Sequence, residues 1–181
     1  TRLASMRHLI ERVLSLQDDE ETITETSATE DNISADDEEL RTLLESLKPR
    51  IRVYGMGGAG CNAIDRLQNE NLFNNSYVTG YAINTDAQAL LLANVEKKIL
   101  IGRTARGRGA GGDPTKGETA ALESEHKLRQ ITEDTQLAII TAGMGGGSGT
   151  GAAAHIARLA KSQEALTIAV VTYPFKSEGT L

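Results

Sequence analysis

All 18 glycines of this 181-residue chain lie after residue 50, and fifteen of them fall within residues 55–60, 102–112 and 143–151. Glycine concentrates where backbone must turn sharply or come close to another group. Each cluster follows a short apolar run, and this limits the fold more than any bulk property. Strands are predicted at residues 51–54, 77–83, 97–101, 137–141 and 166–172. Helices are predicted at residues 59–70, 87–93, 117–131 and 151–162, with residues 55–60 and 143–151 as turn and loop. Alternating strands and helices with continuous apolar strand runs make an α/β fold, a Rossmann-like parallel sheet with helices on both faces. Such sheets bind ligands at the carboxyl ends of their strands. All three glycine clusters fall on that edge.

Charge divides the chain. Residues 1–50 carry 13 acids and 6 bases, whereas residues 51–181 carry 12 and 13, so the net charge of −6 belongs to the leader. Residues 1–33 read as an acidic, mostly disordered leader, since 11 acids and no base lie between Gln17 and Glu39. Within it Leu3, Met6, Ile10, Val13 and Leu14 form a short amphipathic pattern, either a frayed tail or a surface for a membrane or partner. A helix is predicted over residues 34–48, opened by a capping box from Ser34 to Asp37 and stopped by Pro49. Its stripe of Leu40, Leu43, Leu44 and Leu47 is expected to pack on the following domain, a partner-binding helix being the other use. Residues 51–181 form that domain. The lone Cys61 excludes an internal disulfide, and no 18-residue apolar run is present. Net acidity and six aromatic residues argue against nucleic-acid binding.

The first cluster, Gly55-Met56-Gly57-Gly58-Ala59-Gly60, matches G-x-G-x-x-G between a strand and a helix. The spacing alone does not choose among NAD, FAD and a mononucleotide. The second, residues 106–114, can form a backbone anion nest or a plain surface loop. The third, Gly145-Gly146-Gly147-Ser148-Gly149-Thr150-Gly151, follows a strand and opens a helix without the Gly-Lys-Ser/Thr ending of a Walker A loop. Two cradles on neighbouring strands suggest one polyphosphate gripped from both sides. A dinucleotide-dependent oxidoreductase would explain the first cluster and leave the third unexplained.

The third cluster resembles the G-G-G-T-G-T-G signature of the tubulin/FtsZ family, with Ser148 in place of one threonine. Residues 82–88, 106–114 and 170–179 are similar to other loops of that family, and the resemblance spans about residues 38–181; the acidic leader with a helix ahead of the first strand resembles archaeal members more than bacterial ones. It implies a GTP-binding, filament-forming cell-division protein, cytoplasmic and at the division site, using GTP/GDP and Mg²⁺. Gly57, Gly58, Ala59, Gly60, Cys61 and Asn62 would line the nucleotide. Gly145, Gly146, Gly147, Ser148, Gly149, Thr150 and Gly151 would hold the α- and β-phosphates, with Thr150 adding a hydroxyl. Ala110, Gly111 and Gly112 would sense the γ-phosphate through backbone N–H groups. Pro174 and Glu178 would face the ribose. Asn84 and Asp86 would lie near the phosphates and Mg²⁺, Asp86 being equally a helix N-cap.

Arg108 stands where the family usually has leucine. The family continues beyond the equivalent of Leu181 into a guanine-recognising helix and a catalytic loop that acts on the neighbouring subunit's nucleotide. The resemblance therefore implies a truncated GTPase domain with no catalytic residue of its own and little activity alone. Its implied partners are copies of itself, joined head to tail in filaments, and membrane-tethering or regulatory division proteins. The other reading is a non-enzymatic regulator or capping module of the same family.

Overall fold

The computed structural model describes residues 35–174. The leader pattern in residues 1–17, the Ser34 cap and Glu178 lie outside the described residues. Helix α1 (Ala35–Leu47) ends two residues before Pro49, and its leucine stripe is more than half exposed at each of Leu40, Leu43, Leu44 and Leu47.

From residue 47 onward the chain forms a second unit. Strands β1 (Ile51–Met56), β2 (Val78–Asn84), β3 (Lys97–Leu100), β4 (Leu137–Gly143) and β5 (Leu166–Thr172) make one sheet in the order β3-β2-β1-β4-β5, every pairing parallel. Helices α2 (Gly57–Asn69) and α3 (Ala87–Leu92) alternate with the first strands. Helices α4 (Pro114–Glu123), α5 (Glu125–Thr132) and α6 (Gly147–Ser162) belong to the second half. Apolar side chains alternate between two cores, one on each face of the sheet, as a parallel sheet between helices requires. Tyr54, Met56, Ile83 and Ile140 bury against Leu128 and Ile156 on one face. Val53, Ala82 and Leu90 bury against Cys61 and Ile64 on the other. Strand order reverses at β1, with β2 on one side and β4 on the other, and the carboxyl ends at such a reversal are where parallel sheets bind ligands. Met56 pairs with Ala142, so the two strands end nearly level.

Three expectations are corrected. The single helix predicted at residues 117–131 begins at Pro114 and breaks at Ser124. Asp113 caps Thr115 N at its start, and Ser124 Oγ leaves the helix to accept a hydrogen bond from Gly102 N at 2.9 Å. The loop predicted at residues 143–151 is confined to residues 144–146, because β4 runs to Gly143 and α6 begins at Gly147. Similarly α2 begins at Gly57, not at residue 59. In both cases tertiary packing overrides the low helix propensity of glycine. Strand β5 is an edge strand with Leu166, Ile168, Val170 and Val171 exposed. Among the described residues it pairs only with β4, which leaves an apolar edge open.

His155 on α6 is buried, and its Nε2 has no hydrogen-bond partner; Glu125 Oε2 is 3.8 Å away. Burial holds the imidazole below its usual range despite Glu125, with Arg158 lowering it further, Glu118 opposing and Arg129 also lowering. A histidine that binds its proton less well folded than unfolded costs stability as pH falls below its unfolded value of about 6.5. Thermal unfolding is therefore expected to show a midpoint that drops from about pH 7 to about pH 5. His155→Gln is expected to flatten part of that slope.

Candidate phosphate-binding site

The three glycine clusters, far apart in sequence, meet at the β1/β4 edge. Gly57 has a φ of +70°, a conformation glycine tolerates, and a Cβ built on it would stand 2.6 Å from Gly149 N. A Cβ on Gly147 would stand 2.7 Å from Ala110 Cβ and 2.9 Å from Asp113 N. The first cluster thus touches the third, and the third touches the second.

The helix starts differ in a way that matters for an anion. Asp86 caps α3 by accepting hydrogen bonds from Gln88 N and Ala89 N, and Asp113 caps α4. Neither α2 nor α6 has a side-chain cap, and neither has an acid in its first turn. Their first N–H groups therefore lack side-chain acceptors, and each helix dipole presents its positive end there. Helix α2 follows β1 and α6 follows β4, so the two uncapped ends stand on adjacent strands. Phosphate binds at such ends. Two glycines here, Gly58 and Gly146, have neither a positive φ nor a crowded Cβ position. A Cβ on Gly58 would meet nothing within 4 Å, and one on Gly146 only Gly143 O at 4.0 Å. Gly111 and Gly112 face open space too, though their φ values of +61° and +78° already favour glycine.

Ala59 and Asn62 are exposed in the first two turns of α2, whereas Gly60 is buried under Thr141 O. The Cys61 side chain turns into the sheet, its Sγ donating to Ile83 O, and burial pushes the thiol up to about 11. It is no reactive thiolate. Thr150 Oγ1 accepts a hydrogen bond from Gly145 N at 3.0 Å, which closes the turn and leaves its own proton to donate. Asn84 is buried, and its Oδ1 accepts from Thr85 N and Asp86 N, shaping the turn after β2. Ala110 is buried beside Gly147, and Pro174 follows β5 at the same edge, where Met144 N donates to Thr172 O.

For a divalent cation the donor set is small. Asp86 Oδ1 is engaged by two N–H groups, which leaves Oδ2 beside Gly109. Among the described residues no cluster of three or more His, Cys, Asp or Glu exists. One carboxylate oxygen suits Mg²⁺ held mainly by phosphate and water.

Sequence reasoning passed over Thr85. It is fully buried between Asn84 and Asp86, and its Oγ1 lies 2.6 Å from Ser148 Oγ. No signal in the sequence alone marks a buried threonine at a strand end.

The model of the Tubulin/FtsZ family, GTPase domain, matches residues 50–181. Cell division protein FtsZ 1 of Pyrococcus horikoshii is 44% identical over 176 residues, 96% of this chain and 46% of the relative. FtsZ 1 of Methanocaldococcus jannaschii is 47% identical over 148 residues, 81% of this chain and 40% of the relative. A solved empty FtsZ dimer from M. jannaschii superposes with a TM-score of 0.71 at 47% identity, covering 81% of this chain and 42% of that one. A GTPgS-bound protofilament of CetZ2 from Haloferax volcanii superposes with a TM-score of 0.60 at 25% identity, covering 67% and 39%. The chain spans less than half the length of these relatives.

Proposed function

The chain belongs to the tubulin/FtsZ family, and from that premise we propose that it supplies the phosphate-gripping part of a GTP-binding, filament-forming cell-division protein. One observation carries the reading. The two uncapped helix ends, α2 and α6, stand side by side at the strand-order reversal, with Gly58 and Gly146 open beside them.

In this reading the N–H groups at the start of α6 hold the α- and β-phosphates, and the hydroxyl of Thr150 donates to one of their oxygens. The start of α2 meets the nucleotide from the β1 side. The backbone at Ala110, Gly111 and Gly112 reaches the γ-phosphate. Pro174 and Glu178 face the ribose. Mg²⁺, when bound, would sit on phosphate oxygens with Asp86 Oδ2 nearby and offset their negative charge. Phosphoryl transfer depends mainly on positioning and charge stabilisation, both of which these loops provide.

Water activation is a separate task. The two carboxylates nearest the loops, Asp86 and Asp113, each cap a helix through Oδ1. In this reading the activating group comes from the next subunit of a head-to-tail filament, so that hydrolysis follows assembly and this chain alone turns over slowly. A heterologous contact of that kind builds open filaments. A cytoplasmic place at the division site, with tethering or regulatory partners, completes the proposal. Among the described residues no helix is long and apolar enough to cross a membrane.

The test is displacement of a fluorescent GTP analogue from the chain by GTP, ATP and NAD with Mg²⁺ present. GTP is expected to displace it and NAD is not. Displacement by NAD, or no binding by chain shown to be folded, overturns the reading.

A further inference from the structure

We propose that Thr85 is a positioning residue that couples the second glycine cluster to the third, so that a hydrogen-bonded joint, beside the packing of Gly147 on Ala110 and Asp113, ties the γ-phosphate side of the site to the α/β-phosphate side. The inference rests on the phosphate-binding reading above.

Thr85 bonds in three directions. Its N–H donates to Asn84 Oδ1 at 2.8 Å, which fixes the turn after β2. Its carbonyl accepts from Gly109 N at 3.1 Å, inside the second cluster. Its hydroxyl meets Ser148 Oγ at 2.6 Å, inside the third. Ala87 N donates to Gly107 O at 3.0 Å, and Asp86 forms a bridge with Arg108, so the turn and the second cluster move as one piece. The link to the third cluster is different. Among the described residues, the Thr85–Ser148 pair is the hydrogen bond that joins this piece to the loop opening α6.

Its position on α6 gives the pair its leverage. Ser148 follows Gly147, the first residue of the helix, so its backbone belongs to the turn whose N–H groups face the anion. A fully buried threonine at this place could have been valine at no cost in volume. A hydroxyl pair instead fixes direction, because a hydrogen bond orients what a packing contact merely touches. Holding Ser148 by its side chain holds the first turn of α6 at a set distance from residues 109–112.

The expected behaviour separates coupling from simple support. Thr85→Val keeps the shape and removes the bond, while the Ser148 hydroxyl, in a half-buried site, can turn to water. Loss of one such bond should weaken GTP binding about five- to tenfold and GDP binding about two- to threefold at most. GDP lacks the phosphate that the second cluster contacts. Thr85→Ser should restore both affinities. Ser148→Ala should match Thr85→Val, and the double variant should be no worse than either single one.

The measurements are GTP and GDP titrations of the full chain and its variants, with amide exchange on the nucleotide-free protein. Ser148→Ala is expected to speed exchange at residues 107–112, which Ser148 does not hydrogen-bond directly. Equal losses for GTP and GDP, additive single effects, or exchange confined to residues 145–150 would overturn the coupling. If the unaltered chain binds no GTP, the phosphate-binding reading fails by itself, and the exchange result still decides whether the joint transmits.

Discussion

Gly146→Asp is expected to make the protein more stable and unable to bind nucleotide. Gly146 is the N-cap of α6, at φ −86° and ψ 167°, an extended conformation in which aspartate is a favoured cap. A side chain there meets only Gly143 O, at 4.0 Å, so no packing is lost. The carboxylate would accept from the first-turn N–H groups and face the positive end of the dipole. Together these effects should contribute about 1 kcal/mol, a rise of about 2–4 °C in the unfolding midpoint. The same carboxylate would occupy the N–H groups a phosphate needs. At about 4 Å it would repel a phosphate charge by about 4 kcal/mol with an effective dielectric constant of about 20. That corresponds to a loss of about a thousandfold in affinity. Gly146→Asn, an equally good cap without the charge, should lose far less. Thermal unfolding and GTP-analogue titration of the three proteins read both effects. An aspartate variant that binds as the parent does would remove α6 from the site.

That opposition of stability and binding marks how far the sequence could be read. The sheet was legible because its strands are continuous apolar runs, and the clusters were legible as the edge where ligands sit. Which glycine serves which purpose was not, since the answer lies in residues distant along the chain. Gly149 packs on Met56 O and Gly143 O, and Gly147 on Ala110 and Asp113. Gly145, at φ +105°, is needed for the turn itself. Within the signature, Gly146 is the glycine that neither packing nor backbone conformation requires. Gly147, Gly149 and Gly151 act as spacers that let backbones close around it. Ser124 and Thr85 were missed for the same reason. Ser124 breaks a helix to reach Gly102 N, and Thr85 acts through Ser148, 63 residues away. Motif reading favoured the amide and the carboxylate beside Thr85, and both shape turns. Asn84 accepts from Thr85 N and Asp86 N, and Asp86 caps α3.

The last glycine of the signature carries the largest expected cost in stability. In an open helix, replacing glycine by alanine stabilises by up to about 1 kcal/mol. Gly151 lies inside α6 where α4 crosses it, and a Cβ there would run into Pro114 O and Glu118 N. Across the same contact, a Cβ on Gly117 would run into Gly147 O. These are backbone atoms, so no rotamer change relieves the overlap and the helices must part. Gly151→Ala should therefore destabilise by about 3 kcal/mol, the upper part of the range for overpacking, and lower the unfolding midpoint by about 6–12 °C. The displacement reaches the site. Asp113 and Pro114 open α4 directly after Ala110, Gly111 and Gly112, so moving α4 away from α6 draws the second cluster from the third. GTP affinity should fall further than GDP affinity in whatever fraction stays folded, measured below the lowered midpoint. A stabilising Gly151→Ala would mean that the two helices can separate freely, and the account of the signature as a set of spacers would then fail at its closest contact.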